Sequence, residues 1–195
     1  MKKLLYGLLI LLLMIPTGCR KEEDTTLLNV QIFPTRVGNH WQFLSARSDS
    51  VKTYHVNDVI KDTLYDAQQW FVLTYDTNVR TICRNTSLGW WFLYQTGPGL
   101  SAAPSLYYRY PATVGEQYLT SDSSLVTVVS IHEIITVAAG TFSCYHYHMV
   151  HYRENYECEE YFCPAIGFIK HIVYEPGSGI ARVAEVTGLV SYHLE

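Results

Sequence analysis

The feature that most restricts the fold is a recurring run of alternating, aromatic-rich residues with turn formers between the runs. Side chains that alternate along a chain suit a half-buried strand, whose successive residues face opposite sides. From Trp41 onward this pattern repeats almost without break. No amphipathic helix pattern interrupts it. The expected strands are Trp41 to Arg47, Lys52 to Ile60, Gln69 to Asp76, Arg80 to Asn85, Trp90 to Gln95 and Leu106 to Tyr110. They continue with Ser124 to Ile135, Phe142 to Tyr152, Glu157 to Phe162, Gly167 to Glu175 and Ala181 to Tyr192. Ser48-Asp49-Ser50 reads as a turn, and the Gly- and Pro-rich stretch Gly97 to Ser105 as a loop. Short connections favour antiparallel neighbours. The expectation is an all-β domain, one antiparallel meander of ten or eleven strands curled into a half-barrel or barrel. The 16 Tyr and 4 Trp suit such pleated, half-buried surfaces.

One internal echo stands out. Phe33-Pro-Thr-Arg-Val-Gly-Asn-His-Trp41 and Tyr110-Pro-Ala-Thr-Val-Gly-Glu-Gln-Tyr118 share the pattern aromatic-Pro-x-x-Val-Gly-x-x-aromatic. Pro fixes φ, Gly supplies positive φ, and the closing aromatic can start a buried strand. Two readings stand open: a duplicated strand-opening unit, or two similar turns arising independently.

The N-terminus carries an address. Lys2-Lys3 precede a 12-residue apolar run from Leu4 to Ile15, followed by Pro16-Thr17-Gly18-Cys19. A spanning helix needs about 20 apolar residues, so the run fits a secretory leader and not a permanent anchor. Small residues followed by cysteine resemble a bacterial lipoprotein signal, although Pro16 stands where Leu is usual. That resemblance implies cleavage before Cys19 and acylation there, with a diacylglycerol on sulfur and a palmitate-like chain on nitrogen. Several acyl chains hold a protein to a bilayer, whereas one does so marginally. Lys21-Glu22-Glu23-Asp24 follows directly and resembles the surface-export signal of Bacteroidetes-type lipoproteins. The bland reading of these charges is a solvated tether, and the alternative location is the periplasmic leaflet of the membrane. The expected organisation is a signal peptide over 1–18, a lipidated cysteine and tether over 19–28, and the β domain over 29–195.

Removal of the leader takes away two lysines and no acids, leaving 12 basic against 18 acidic side chains, a formal charge of −6. With no basic patch in view, nucleic acid is not an expected partner. Four cysteines remain in the domain, Cys83, Cys144, Cys158 and Cys163. Three full pairings are open to them in an oxidising compartment, as is the alternative of buried free thiols.

Three segments resemble a group of small uncharacterised Bacteroidetes lipoproteins. They are the Phe33–Trp41 opening, Val137-Ala-Ala-Gly-Thr-Phe-Ser-Cys-Tyr145, and Tyr161-Phe-Cys-Pro-Ala-Ile-Gly-Phe-Ile-Lys170. Ala138, Cys163 and Ala165 depart from the group's pattern. The resemblance implies a half-barrel like that of periplasmic lipoprotein carriers, with an apolar concave face. It implies no catalytic residues and no cofactor.

Two sets of residues are candidates for chemistry. Aromatic clusters at Trp90-Trp91-Phe92-Leu93-Tyr94 and Tyr107-Tyr108-Arg109-Tyr110, with Tyr145 and Tyr147, offer stacking surfaces. Trp90, Trp91, Tyr94, Tyr108, Tyr145 and Tyr147 are the expected ligand contacts. Cys144, His146 and His148 alternate on one strand and are zinc-type ligands, but i and i+4 on a strand lie about 13 Å apart. A single ion would need a donor from a neighbouring strand, such as Cys158 or His171, so metal binding is the weaker reading. Glu157 and Glu159 read as an exposed charged strand. The expected function is a non-enzymatic outer-membrane or cell-surface lipoprotein that binds an apolar or glycan-like ligand, or a partner protein, on its concave face. The alternatives are an accessory structural subunit of an outer-membrane complex and a metal-dependent enzyme built on the His/Cys strand.

Overall fold

A computed structural model describes residues 30–76, 79–93, 103–175 and 182–195. Within them the fold is all-β, as the alternation required. The strands are β1 (His40–Arg47), β2 (Lys52–Tyr65), β3 (Gln68–Tyr75), β4 (Val79–Thr86), β5 (Gly89–Leu93) and β6 (Pro104–Arg109). They are followed by β7 (Gln117–Leu119), β8 (Leu125–Val137), β9 (Gly140–His151), β10 (Tyr156–Cys163), β11 (Gly167–Tyr174) and β12 (Val183–His193). All twelve belong to one sheet in the order β6-β5-β4-β3-β2-β1-β12-β11-β10-β9-β8-β7. The chain thus lays down two six-strand meanders that join where β1 pairs antiparallel with β12.

One strand has no counterpart in the sequence expectation: β7 is only three residues long and too short to carry an alternation. One boundary needed correction: β2 runs to Tyr65 instead of Ile60. A bulge between Val59 and Lys61 absorbs a register shift there. The hairpin closes at Asp66-Ala67, both with positive φ (49° and 55°). That backbone usually calls for Asn-Gly or Asp-Gly, so Asp-Ala gave no turn signature.

The echoed motifs form equivalent turns. The amide of Gly38 (φ +98°) donates to the Val59 carbonyl, and the Val59 amide donates to the Asn39 carbonyl. In the second copy, Gly115 (φ +86°) donates to the Val128 carbonyl and Val128 donates to the Glu116 carbonyl. The two closing aromatics, Trp41 and Tyr118, are both buried. The glycine turns of the two copies share this hydrogen bonding, and one copy heads each meander.

The sheet curls without closing into a barrel: β6 and β7 are its two edges. Side chains bridge them instead. The Tyr118 hydroxyl donates to the Tyr107 carbonyl at 2.8 Å and accepts the Arg109 amide at 3.0 Å. Tyr107 donates to Asp122, and Arg109 lies over the Tyr118 ring. An edge strand otherwise presents unpaired backbone groups, and Tyr118 satisfies two of them.

The segment before β1 plugs one end of the curl. Ile32 and Phe33 are buried, with Phe33 stacked on Trp90 at 4.2 Å and against Trp41 at 4.5 Å. The Asn85 side chain donates to the Phe33 carbonyl at 2.7 Å, and the Ala165 amide donates to the Gln31 carbonyl. Trp41 Nε1 donates to the Ile166 carbonyl at 2.7 Å. Burying a large side chain such as Phe33 contributes about 2–3 kcal/mol.

Candidate functional site

The site follows from the register. Residues directly opposite on neighbouring strands share a face. Glu160 on β10 faces His171 on β11, His171 faces Thr187 on β12, and Thr187 faces Ser45 on β1. These four form a polar row across the concave face. Ser45 and Thr187 hydroxyls hydrogen-bond at 2.6 Å, and Thr187 also donates to Glu185 at 3.3 Å. Beside the row, Phe162, Phe168 and Phe43 make an aromatic row, with ring centroids 5.4 and 5.3 Å apart. Strand alternation puts Glu160 and Phe162, and likewise Phe43 and Ser45, on the same face.

Together with Phe33, Trp90, Phe92 and Tyr108, these rows enclose a cavity of about 290 Å³, which His55, Asn57, Tyr75 and Glu185 also line. One wall is aromatic and another carries hydroxyls, a carboxylate and an imidazole. Tyr108 donates its hydroxyl to Glu160, and burial followed by the Glu160 charge pushes the phenol's pKa well up, so it stays a donor.

The expected contact residues divide. Trp90 and Tyr108 line the cavity. Trp91 follows Trp90 in an extended strand and so turns to the opposite face. There it packs with Trp70 and Leu93 and donates to Thr86 at 3.0 Å. Tyr147 is sealed in the core, its hydroxyl donating to the Arg109 carbonyl at 2.7 Å. Tyr145 stands apart from the cavity, edge-on to Tyr110. Tyr94, Cys19, Lys21, Glu22, Glu23 and Asp24 lie outside the described residues. Phe43, Phe162 and Phe168 were missed, although each sits at an alternating position of an expected strand.

The Cys144, His146 and His148 set does not converge on one point. His146 is instead clamped between two carboxylates, Nδ1 to Glu133 at 2.6 Å and Nε2 to Glu159 at 2.5 Å. An ionised carboxylate only accepts, so a carboxylate at each ring nitrogen favours the doubly protonated ring. Burial alone would lower its pKa, but Glu159 and Glu133 outweigh burial and raise it. Glu159 is therefore half-buried and paired, not a free surface acid. His148 reaches Glu157 at 3.2 Å. A different group does meet: donor atoms of Cys158, Glu160 and His171 lie within 4.8 Å of one another. All four domain cysteines are free thiols, so none of the three pairings forms.

A protein from Bacteroides fragilis, described as exported and as having a YmcC-like fold, aligns with a TM-score of 0.54 at 14% identity. The alignment covers 85% of this chain and 100% of that one. A protein from Parabacteroides distasonis described as a lipoprotein aligns with a TM-score of 0.51 at 12% identity, over 84% of this chain and 99% of that one. The curled sheet is a fold that these proteins share. No family model and no curated protein matches the sequence.

Proposed function

We propose that the chain is a non-enzymatic lipoprotein of the outer membrane, displayed at the cell surface, whose concave cavity holds one small ligand with both hydroxyl groups and an apolar face. A glycan-like ring fits that description better than a bare acyl chain. The observation that carries this reading is the cavity itself, with its aromatic row beside the Glu160–His171–Thr187–Ser45 row. Aromatic faces bind the apolar side of a ring, and a few placed polar groups fix its orientation. Its volume of about 290 Å³ suits one ring-sized ligand.

The thiols support a binding role over a nucleophilic one. Burial pushes Cys83 and Cys144 up to about 12, and raises Cys158 further. A thiol held protonated is a poor nucleophile. The leader before Cys19 and the Lys21–Asp24 charges support the location, as does the shared fold with proteins described as exported or as a lipoprotein.

Isothermal titration of the full-length protein in detergent, against a panel of mono- and disaccharides and of fatty acids, tests the reading. Binding of a saccharide is expected. Trp90→Ala and Thr187→Val should each weaken it at least about tenfold, the scale of one lost contact of about 1.4 kcal/mol. Silence across both classes removes the reading. Replacing Lys21, Glu22, Glu23 and Asp24 with alanine should reduce protease accessibility of the domain on whole cells. Unchanged accessibility would remove surface display and leave the lipid anchor standing.

A further inference from the structure

At the cavity wall, two adjacent strands bring Cys158, which the ligand reading does not use, to two members of the polar row. Cys158 and Glu160 are two apart on β10 and so share a face, and Glu160 pairs with His171 on β11. Cys158 Sγ, a Glu160 carboxylate oxygen and a His171 ring nitrogen all lie within 4.8 Å of one another. Tetrahedral zinc, with bonds of about 2.0–2.3 Å, sets its ligand atoms about 3.3–3.8 Å apart. His171 Nε2 stands 3.8 Å from Glu160 Oε1. That is too long for a hydrogen bond. His171 Nε2 is also sealed from solvent and has no hydrogen-bond partner. Buried polar atoms are rarely left so, and an ion is one of the ordinary explanations.

We propose that Cys158, Glu160 and His171 form a binding site for a divalent transition metal, with zinc the ion they fit. A thiolate with an imidazole selects zinc over magnesium or calcium. Tyr108 donates to Glu160 Oε2, which orients the carboxylate and leaves Oε1 toward His171, as outer partners of metal ligands commonly do. Glu160 and His171 line the cavity, so the fourth position faces it and takes water or a donor atom of a ligand. Cys158 is a thiol before the ion arrives. Zinc replaces its proton, which leaves to solvent, so uptake weakens in acid. His151 Nε2 hydrogen-bonds Cys158 Sγ at 3.6 Å but is not among the donor atoms that lie within 4.8 Å of one another. The site stands independently of the saccharide reading, because its test uses the metal alone.

Full-length protein, stripped with chelator in detergent, is titrated with Co²⁺ and then with competing Zn²⁺. The expected result is one equivalent of Co²⁺ with a thiolate charge-transfer band and intense visible bands of tetrahedral cobalt, both abolished by Zn²⁺. Cys158→Ser should remove the thiolate band, and His171→Ala should weaken zinc binding at least tenfold. Cys144→Ser and Cys163→Ser should leave both unchanged. Absence of the band in wild type, or its survival in Cys158→Ser, overturns the proposal. Should Cys158→Ser fail to fold by circular dichroism, Glu160→Gln and His171→Gln decide: unchanged zinc affinity in both overturns it.

Discussion

His146 shows how two neighbours set the behaviour of one residue. A weak metal candidate in the sequence, it is instead clamped by Glu133 and Glu159 and stacked on Tyr161 at 4.4 Å. Its native pKa lies above the ordinary 6.5. A group whose pKa rises on folding stabilises the native state fully below its unfolded value, and that contribution fades as pH rises through the native value. The stability gap between wild type and His146→Gln should therefore be widest in mild acid and narrow above pH 6.5. Urea unfolding from about pH 5.5 to about pH 9 measures it. A gap that widens with pH would reverse the assignment. The three-residue alternation of Cys144, His146 and His148 was legible. Their partners were not, because Glu133 and Glu159 come from β8 and β10, and β8 reaches Cys144 and His146 through two register shifts.

At the scale of elements, strands long enough to alternate were readable and the shortest was not. β7 has three residues, yet its Tyr118 holds edge strand β6 through two backbone hydrogen bonds. Tyr118→Phe leaves the Tyr107 carbonyl and the Arg109 amide without that partner. The expected cost is about 2 kcal/mol, within the range for unsatisfied buried polar groups. Thermal melts measure the loss, and hydrogen exchange should show reduced protection at the Arg109 amide. Full protection at Arg109 would mean that the edges are held by something other than this hydroxyl. The aromatic cluster on β5 was legible as a cluster. Its division into Trp90 toward the cavity and Trp91 toward the other face follows from pleating, once the strand boundaries are known.

Across the whole molecule, the segment before β1 packs into the curl through Phe33. Phe33 sits at the junction of the two meanders, touching Trp41 on β1 and Trp90 on β5, and it limits the space above Gly167. Phe33→Ala should cost about 4 kcal/mol, a transfer loss plus the cavity left behind. It should also open the floor of the ligand cavity, so any saccharide binding would weaken together with stability. Urea unfolding and titration on the same preparation separate the two effects. A variant of unchanged stability would show that the plug packs only loosely.

Taken alone, the sequence determined the all-β class, the antiparallel order of most strands, the turn geometry of the two Pro-x-x-Val-Gly motifs and the leader-like N-terminus. These depend on residues close together in the chain, whose spacing and backbone freedom are local properties. Tertiary structure decided which residues meet. The polar row from Glu160 to Ser45 crosses four strands from two distant parts of the chain, β10–β12 and β1. Bulges at Tyr161/Phe162 and Gln42/Phe43 set its register. A slip of one residue on any strand would turn that strand's member of the row to the outer face. Spacing along one chain carries no record of such offsets between strands, so the cavity and the Cys158–Glu160–His171 cluster became visible only when the sheet was assembled.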